Sequence, residues 1–368
     1  MRAIQSLMRM LGCVAISISL CGCGSTTQSL GGVSPSHSSA RFAYVANKGS
    51  GDISIFTIDT TTGVLTPIGR IFAGAVAPST GPEAVTTDPS GKFAYAANSS
   101  GSVFMFTIDG TSGQLTSTGT VVAGLGAQSV AVDRSGKFTY VANSGDNNVS
   151  MYTIGTSTGN LTPLGNVRSG LVPTSVAVHP SGGFVYVANE GSNNVSVYTV
   201  NLTTGLLTPN GTVAAGMGPS SLTTDPGGKF AYVTNANSNN VSMYLIDAAT
   251  GALTPNGTIA AGTSPLSVAV TSSGKFAYVA NSNSNDVSMY SIDSATGTLK
   301  SDGTIGARPG AKSVFVDATG QFAYVTNAGD NSVSMYALNS VTGVLTSLGP
   351  IAAGTFPSSV VTTGVSTK

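Results

Sequence analysis

A small set of ionisable side chains in this 368-residue chain interrupts an otherwise repeating pattern. They are Glu83, Arg134, Arg168, His179, Glu190, Arg308 and Lys312. Glu190 is suited to proton transfer. Arg308 and Lys312 are suited to stabilising negative charge as it develops on an oxygen. Glu83 and Gln128 are candidate binding groups, together with Asp146, Asp286 and Asp330 in the Asn-rich stretches SGDNN, NSNDV and AGDNS. Those stretches offer oxygen ligands for a weak Ca2+ site. The spacing of an EF-hand is absent, however, and neither a metal nor a cofactor is expected. His179 falls in AVHPSGG, in the slot that Asp88, Asp133, Asp225 and Asp317 occupy elsewhere, so it reads as a turn residue.

The elements that position these groups are copies of one unit. FAYVAN at 42–47 returns as FAYAAN (93–98), FTYVAN (138–143), FVYVAN (184–189), FAYVTN (230–235), FAYVAN (276–281) and FAYVTN (322–327). The starts are 51, 45, 46, 46, 46 and 46 residues apart. Repetition at that period marks an architecture rather than a catalytic motif. One unit contains four strand-like runs, such as SLTTD (221–225), KFAYVTN (229–235), NVSMYLID (240–247) and ALTPNGTIAAG (252–262), separated by Pro/Gly, Asn/Ser and ATG turns. Four antiparallel strands per unit and seven units predict an all-β, seven-bladed β-propeller over residues 41–368.

The strands sort by position. Small residues in the first run (Ser129, Ala131, Ser175, Ala177) suit a crowded central channel. The second and third runs are apolar on both faces, as strands sandwiched between blades must be. Pro67, Pro163, Pro209 and Pro255 place the fourth run at the outer edge, where no ladder hydrogen bond is lost. The recurrent Met105, Met151, Met243, Met289 and Met335 read as packing between blades, and the recurrent Asn as a tie to the backbone of the following loop. The first unit lacks its own first run, and Ser358–Thr363 aligns with Ser220–Asp225, so the C-terminal strand is predicted to complete blade 1. Glu190 directly follows FVYVAN on one face, the top, while His179 lies at a bottom turn. About six residues of strand separate them, roughly 20 Å, too far for an acid–base pair.

Composition excludes some functions. Charged residues are 8%, against roughly 25% in an average domain, and the formal net charge is zero with no basic run. Nucleic-acid binding is therefore not expected. Arg2 and Arg9 precede an apolar run from Met10 to Leu20 that is too short to span a bilayer but right for a signal-peptide core. Leu20-Cys21-Gly22-Cys23 resembles the bacterial lipoprotein box, which implies cleavage after residue 22 and lipidation of Cys23. Residues 23–40 then form a Gly/Ser/Thr tether reaching roughly 23 Å as a random coil. All three Cys residues lie at or before position 23, so the propeller is expected to contain no disulfide.

The seven FAYVAN-like runs resemble the YVTN family of propeller repeats and are similar to the bacterial lactonase family, which includes 6-phosphogluconolactonases. In that family an acidic residue after the "VN" of one blade belongs to the active site, and Glu190 matches that position. The family's Pro-Arg-His run entering a first strand is absent. The corresponding runs are Pro82-Glu83-Ala84, Ala127-Gln128-Ser129, Pro173-Thr174-Ser175, Pro219-Ser220-Ser221, Pro265-Leu266-Ser267, Ala311-Lys312-Ser313 and Pro357-Ser358-Ser359. Blade symmetry, scarce ionisable groups and a lipid anchor make an exported, monomeric envelope binding module the first expectation. Its partner would be an envelope protein or a small molecule, and only the lipid would touch the membrane. The alternative is a lactonase-like hydrolase using Glu190, Arg308 and Lys312 at the channel mouth.

Overall fold

The computed structural model describes residues 42–74 and 81–364. The leader, Cys23 and the tether lie outside the described residues. Seven four-stranded antiparallel sheets contain 28 strands in all. In each blade the chain runs inner strand, second strand, third strand, outer strand. The inner strands neighbour one another around a central channel. Blade 1 takes its inner strand, Pro357–Thr362, from the C-terminal end of the ring, paired antiparallel with Phe42–Asn47. Ser359 pairs with Ala46 and Val361 with Tyr44, so the ring closes inside one sheet as the sequence predicts.

Burial follows strand position. Each second strand is buried along its whole length, Phe42–Asn47 included. The outer strands alternate between partly buried and exposed and bulge beside the third strand, as between Ile55 and Phe56 in blade 1. Pro67, Pro163, Pro209 and Pro255 sit in these edge strands.

The FAY part of the repeat is a joint between blades. Tyr44 donates its phenol to Gly113 O (2.9 Å) in the turn of the next blade, and Tyr95 reaches Gly159 O (2.8 Å). The series continues round to Tyr278 and Gly343 O (2.7 Å). The last joint, Tyr324 to Gly63 O (2.9 Å), crosses the ring closure. The same turn glycine lies flat against the Phe two residues before that Tyr. At Gly63, with φ +74°, a Cβ would stand 2.1 Å from the Phe322 ring. Only glycine serves there, for conformation and for space.

Other joints repeat with the blade. Leu65 N–H approaches Met335 Sδ (3.3 Å) and Leu161 N–H approaches Met105 Sδ (3.2 Å), so the Met column packs between blades as expected. Ser129 and Ser175 on inner strands accept from Val176 N and Leu222 N of the following blade (3.2 and 3.1 Å). The recurrent Asn differs from expectation. In most blades its amide binds side chains on the third strand rather than loop backbone. Asn143 Nδ2 donates to Asn148 Oδ1 (2.7 Å) and Ser150 Oγ (2.9 Å). The loop is instead tied by left-handed asparagines such as Asn147 (φ 54°), whose Oδ1 accepts from Val172 N of the next blade (2.7 Å).

Two predictions follow from these joints. Deleting Pro357–Thr362 removes an entire inner strand, so the thermal transition seen by circular dichroism should fall sharply or vanish; an unchanged melt would rule out closure through blade 1. All 12 tyrosines have phenols pushed above their ordinary value of 10.0, with burial the first cause. The folded state holds these protons while the unfolded chain releases them near 10.0, so stability is complete below that pH and is lost as pH rises above it. Phenolate absorbance should therefore appear in one cooperative step coincident with unfolding. A gradual titration of the native protein near pH 10 would contradict the buried joints.

Candidate functional site

Seven equivalent side chains surround the upper channel, one from the second residue of each inner strand. They are Glu83, Gln128, Thr174, Ser220, Leu266, Lys312 and Ser358. Three of them serve the ring itself. Thr174, Ser220 and Ser358 donate to the carbonyls of Pro219 (2.9 Å), Pro265 (2.7 Å) and Pro82 (2.9 Å) in the following blades. Glu83, Gln128, Leu266 and Lys312 make no such bond among those described and give this opening its asymmetry. Together with Glu190 they line a cavity of about 380 Å³. That is a size suited to a small polar ligand.

Glu83 is the electrostatic centre of the mouth. Its side chain is 9% exposed and pairs with both Lys48 and Lys312, the latter at 3.4 Å. Lys48 follows the second strand of blade 1, Glu83 enters blade 2 and Lys312 enters blade 7. One carboxylate thus holds two ammonium groups and leaves one positive charge in excess. Lys312 also lies 4.9 Å from the centre of the Phe356 ring, within cation–π range. Burial lowers the Lys312 ammonium below its ordinary range; Glu83 opposes that shift and Lys48 adds to it. Gly81 makes this grouping sterically feasible, because a Cβ there would fall on the Lys48 carbonyl.

Glu190 is exposed on the top face, with its backbone N–H on Val172 O (2.8 Å). It corresponds to Lys48 in blade 1. Glu83, Gln128, Glu190 and Lys312 therefore line one cavity. The structure places Arg308 elsewhere: its Nε donates to Asp330 Oδ2 at 2.6 Å, and it is not among the cavity residues. The reason lies one residue on. In other blades the loop residue aligned with Pro309 donates its N–H to the side chain aligned with Asp330, as Leu171 does to Ser192 (2.7 Å) and Met217 to Ser238 (2.8 Å). Pro309 has no N–H to give, so Arg308 supplies the clamp instead.

Asp146 performs that clamp for Leu125 N (2.9 Å), and Asp286 accepts from Asn281 (2.7 Å) and Ser284 (3.0 Å). These three aspartates are thus engaged within their loops and do not line the cavity. Among the described residues no group of three metal-binding side chains occurs. His179 is buried at the bottom, with Nε2 2.8 Å from Gly228 O and Nδ1 2.7 Å from Ser181 Oγ, the turn role read from its slot.

The family described as "Lactonase, 7-bladed beta-propeller" matches residues 24–130, 120–223 and 209–313. The chain belongs to this lactonase family of seven-bladed propellers. No curated protein matches it. Among solved structures it is similar to a Bacteroides fragilis protein proposed to be a 6-phosphogluconolactonase, with TM-score 0.79 and 21% identity over 89% of this chain and 98% of that one. The periplasmic gluconolactonase of Pseudomonas aeruginosa aligns with TM-score 0.76 and 19% identity, over 88% and 99%. Hydrazine synthase of Kuenenia stuttgartiensis aligns at 0.62 and 18%, over 86% and 100%. At such identities these likenesses describe the fold, which lactonase-family members share with proteins of other chemistry.

Glu83→Gln tests the charge arrangement. Removing the carboxylate leaves two ammonium groups facing each other, and because both lysines are about a quarter exposed the cost should be modest, about 1–2 kcal/mol. Lys312 also loses the neighbour that raises its pKa, so an amine-reactive ester should label it at lower pH than in the parent protein. Peptide mass spectrometry reads this directly, and an unshifted labelling profile would contradict the pairing.

Proposed function

We propose that the upper cavity hydrolyses a small sugar lactone. The observation that carries this reading is the gathering of Glu83, Lys48, Lys312 and Glu190 at one channel mouth in a chain of the lactonase family. In this reaction Glu190 accepts a proton from water as its oxygen bonds to the lactone carbonyl carbon. Lys312 stabilises the negative charge developing on the carbonyl oxygen, and Glu83, itself paired with Lys48, holds Lys312 in place. The ring carbon–oxygen bond then breaks and the ring oxygen takes up a proton, leaving an open-chain hydroxy acid. Carboxylate-assisted proton transfer and a fixed cation each contribute roughly a hundredfold or more to such a step.

The leader pattern and the Leu-Cys-Gly-Cys box support an exported chain anchored through Cys23, so the reaction is proposed for the cell envelope. A second reading, an envelope docking module, has one observation of its own. Leu125, Leu171 and Met217 occupy equivalent loop positions on three consecutive blades and are 62%, 57% and 59% exposed.

The test is acid release from a panel of five- and six-membered sugar lactones. Glu190→Gln and Lys312→Met should each lower kcat/KM about a hundredfold or more, whereas Arg308→Ala, outside the cavity, should leave it unchanged. Hydrolysis that is absent for every lactone, or unaffected by Glu190→Gln, would remove the enzymatic reading and leave the docking one.

A further inference from the structure

The fifth residue of each inner strand forms a level of mostly small side chains: Thr86, Ala131, Ala177, Thr223, Ala269 and Val361. In blade 7 that residue is Phe315. Phe315 packs against the apolar clusters between blades 1 and 2 and between blades 7 and 1, and is the single residue common to the linings of the upper cavity and of a lower one. The two linings meet at its level.

The lower cavity is about 410 Å³ and differs in character from the upper. Its wall is the next level of the inner strands, with Val132, Val178, Val270 and Val316 beneath Phe315. Its rim is made by the bottom turns, which contribute Pro180, Pro226, Ser272 and Ala318. At that rim one turn carries Arg134, an exposed cation aligned with those Pro, Ser and Ala residues. His179 and Asp317, the other ionisable lining residues, are already committed. The His179 ring nitrogens face Ser181 Oγ and Gly228 O, and Asp317 Oδ1 accepts from Gln321 N (3.0 Å) and Phe322 N (2.9 Å). Arg134 has no such bond among those described. A concave apolar wall with one cation at its edge is the ordinary form of a small-ligand site.

We propose that this lower cavity is a second binding site, separate from the proposed lactone site, for a small amphiphile with an anionic head. The apolar chain lies against the four valines and Phe315, and the head meets the Arg134 guanidinium. The inference does not depend on lactone hydrolysis, because apart from Phe315 the two cavities share no lining residue.

The sequence has no Trp, so Phe315→Trp installs a single reporter between the cavities. Octanoate added to the full chain should shift the Trp emission and raise the melting temperature. Arg134→Gln, at an exposed position, should weaken octanoate about tenfold or more and leave 1-octanol unchanged, since only the charge-assisted contact is lost. Ala318→Trp, obstructing the rim, should weaken both probes. Calorimetry on the parent protein reads the same affinities without the reporter. Absence of octanoate binding, or equal binding by the Arg134→Gln protein, would overturn the assignment. Lactone hydrolysis measured in parallel reports on the upper cavity alone.

Discussion

The hydrogen bond from each buried second-strand tyrosine to the turn of the next blade is the constraint on which the structure depends. A sheet with two apolar faces cannot stand alone in water. It must be covered on both sides, and here the cover is always the neighbouring copy. The phenol meets a carbonyl that would otherwise be buried without a partner, and the adjacent Phe fills the space that a glycine leaves open. Each bond is worth only about 1 kcal/mol net, but leaving its acceptor unmatched costs more. Seven such joints, with the seventh spanning the termini of the ring, do what disulfides do in other folds.

Because so much of the repeat is spent on joints, specificity is confined to a few places. Thr174, Ser220 and Ser358 are drawn into the ring, whereas Glu83, Gln128, Leu266 and Lys312 are released from it. Arg308 illustrates the opposite case. It is conspicuous in sequence yet serves a loop, because a proline beside it removed the usual donor.

Much of this was legible in the residues. The count of blades, the exchange of the inner strand in blade 1 and the burial of FAYVAN on both faces follow from period and pattern. Glu83, Glu190 and Lys312 could be assigned to the top face because strand direction fixes which loops share it. Lys48 was not recognised as Glu83's partner. Its contact joins separate blades, as does that of Lys312, 229 residues from Glu83. The role of the αL asparagines was not legible in sequence, because it needs the next blade's backbone in place. Phe315 could have been found: AKSVFV carries a large ring where PTSVAV carries Ala177.

Near-identical joints also bear on how the chain reaches its ring. The inner strand Pro357–Thr362 must bypass six almost equivalent edges before meeting Phe42–Asn47. A slip by a whole unit would satisfy nearly every main-chain partner and leave one sheet short. What separates the correct circle from a spiral is a handful of unlike side chains near the seam, Lys48 and Lys312 on Glu83 among them. Uniformity that makes each blade stable thereby moves the burden of correct assembly onto that seam. Strand exchange between two molecules is the natural error of such a design.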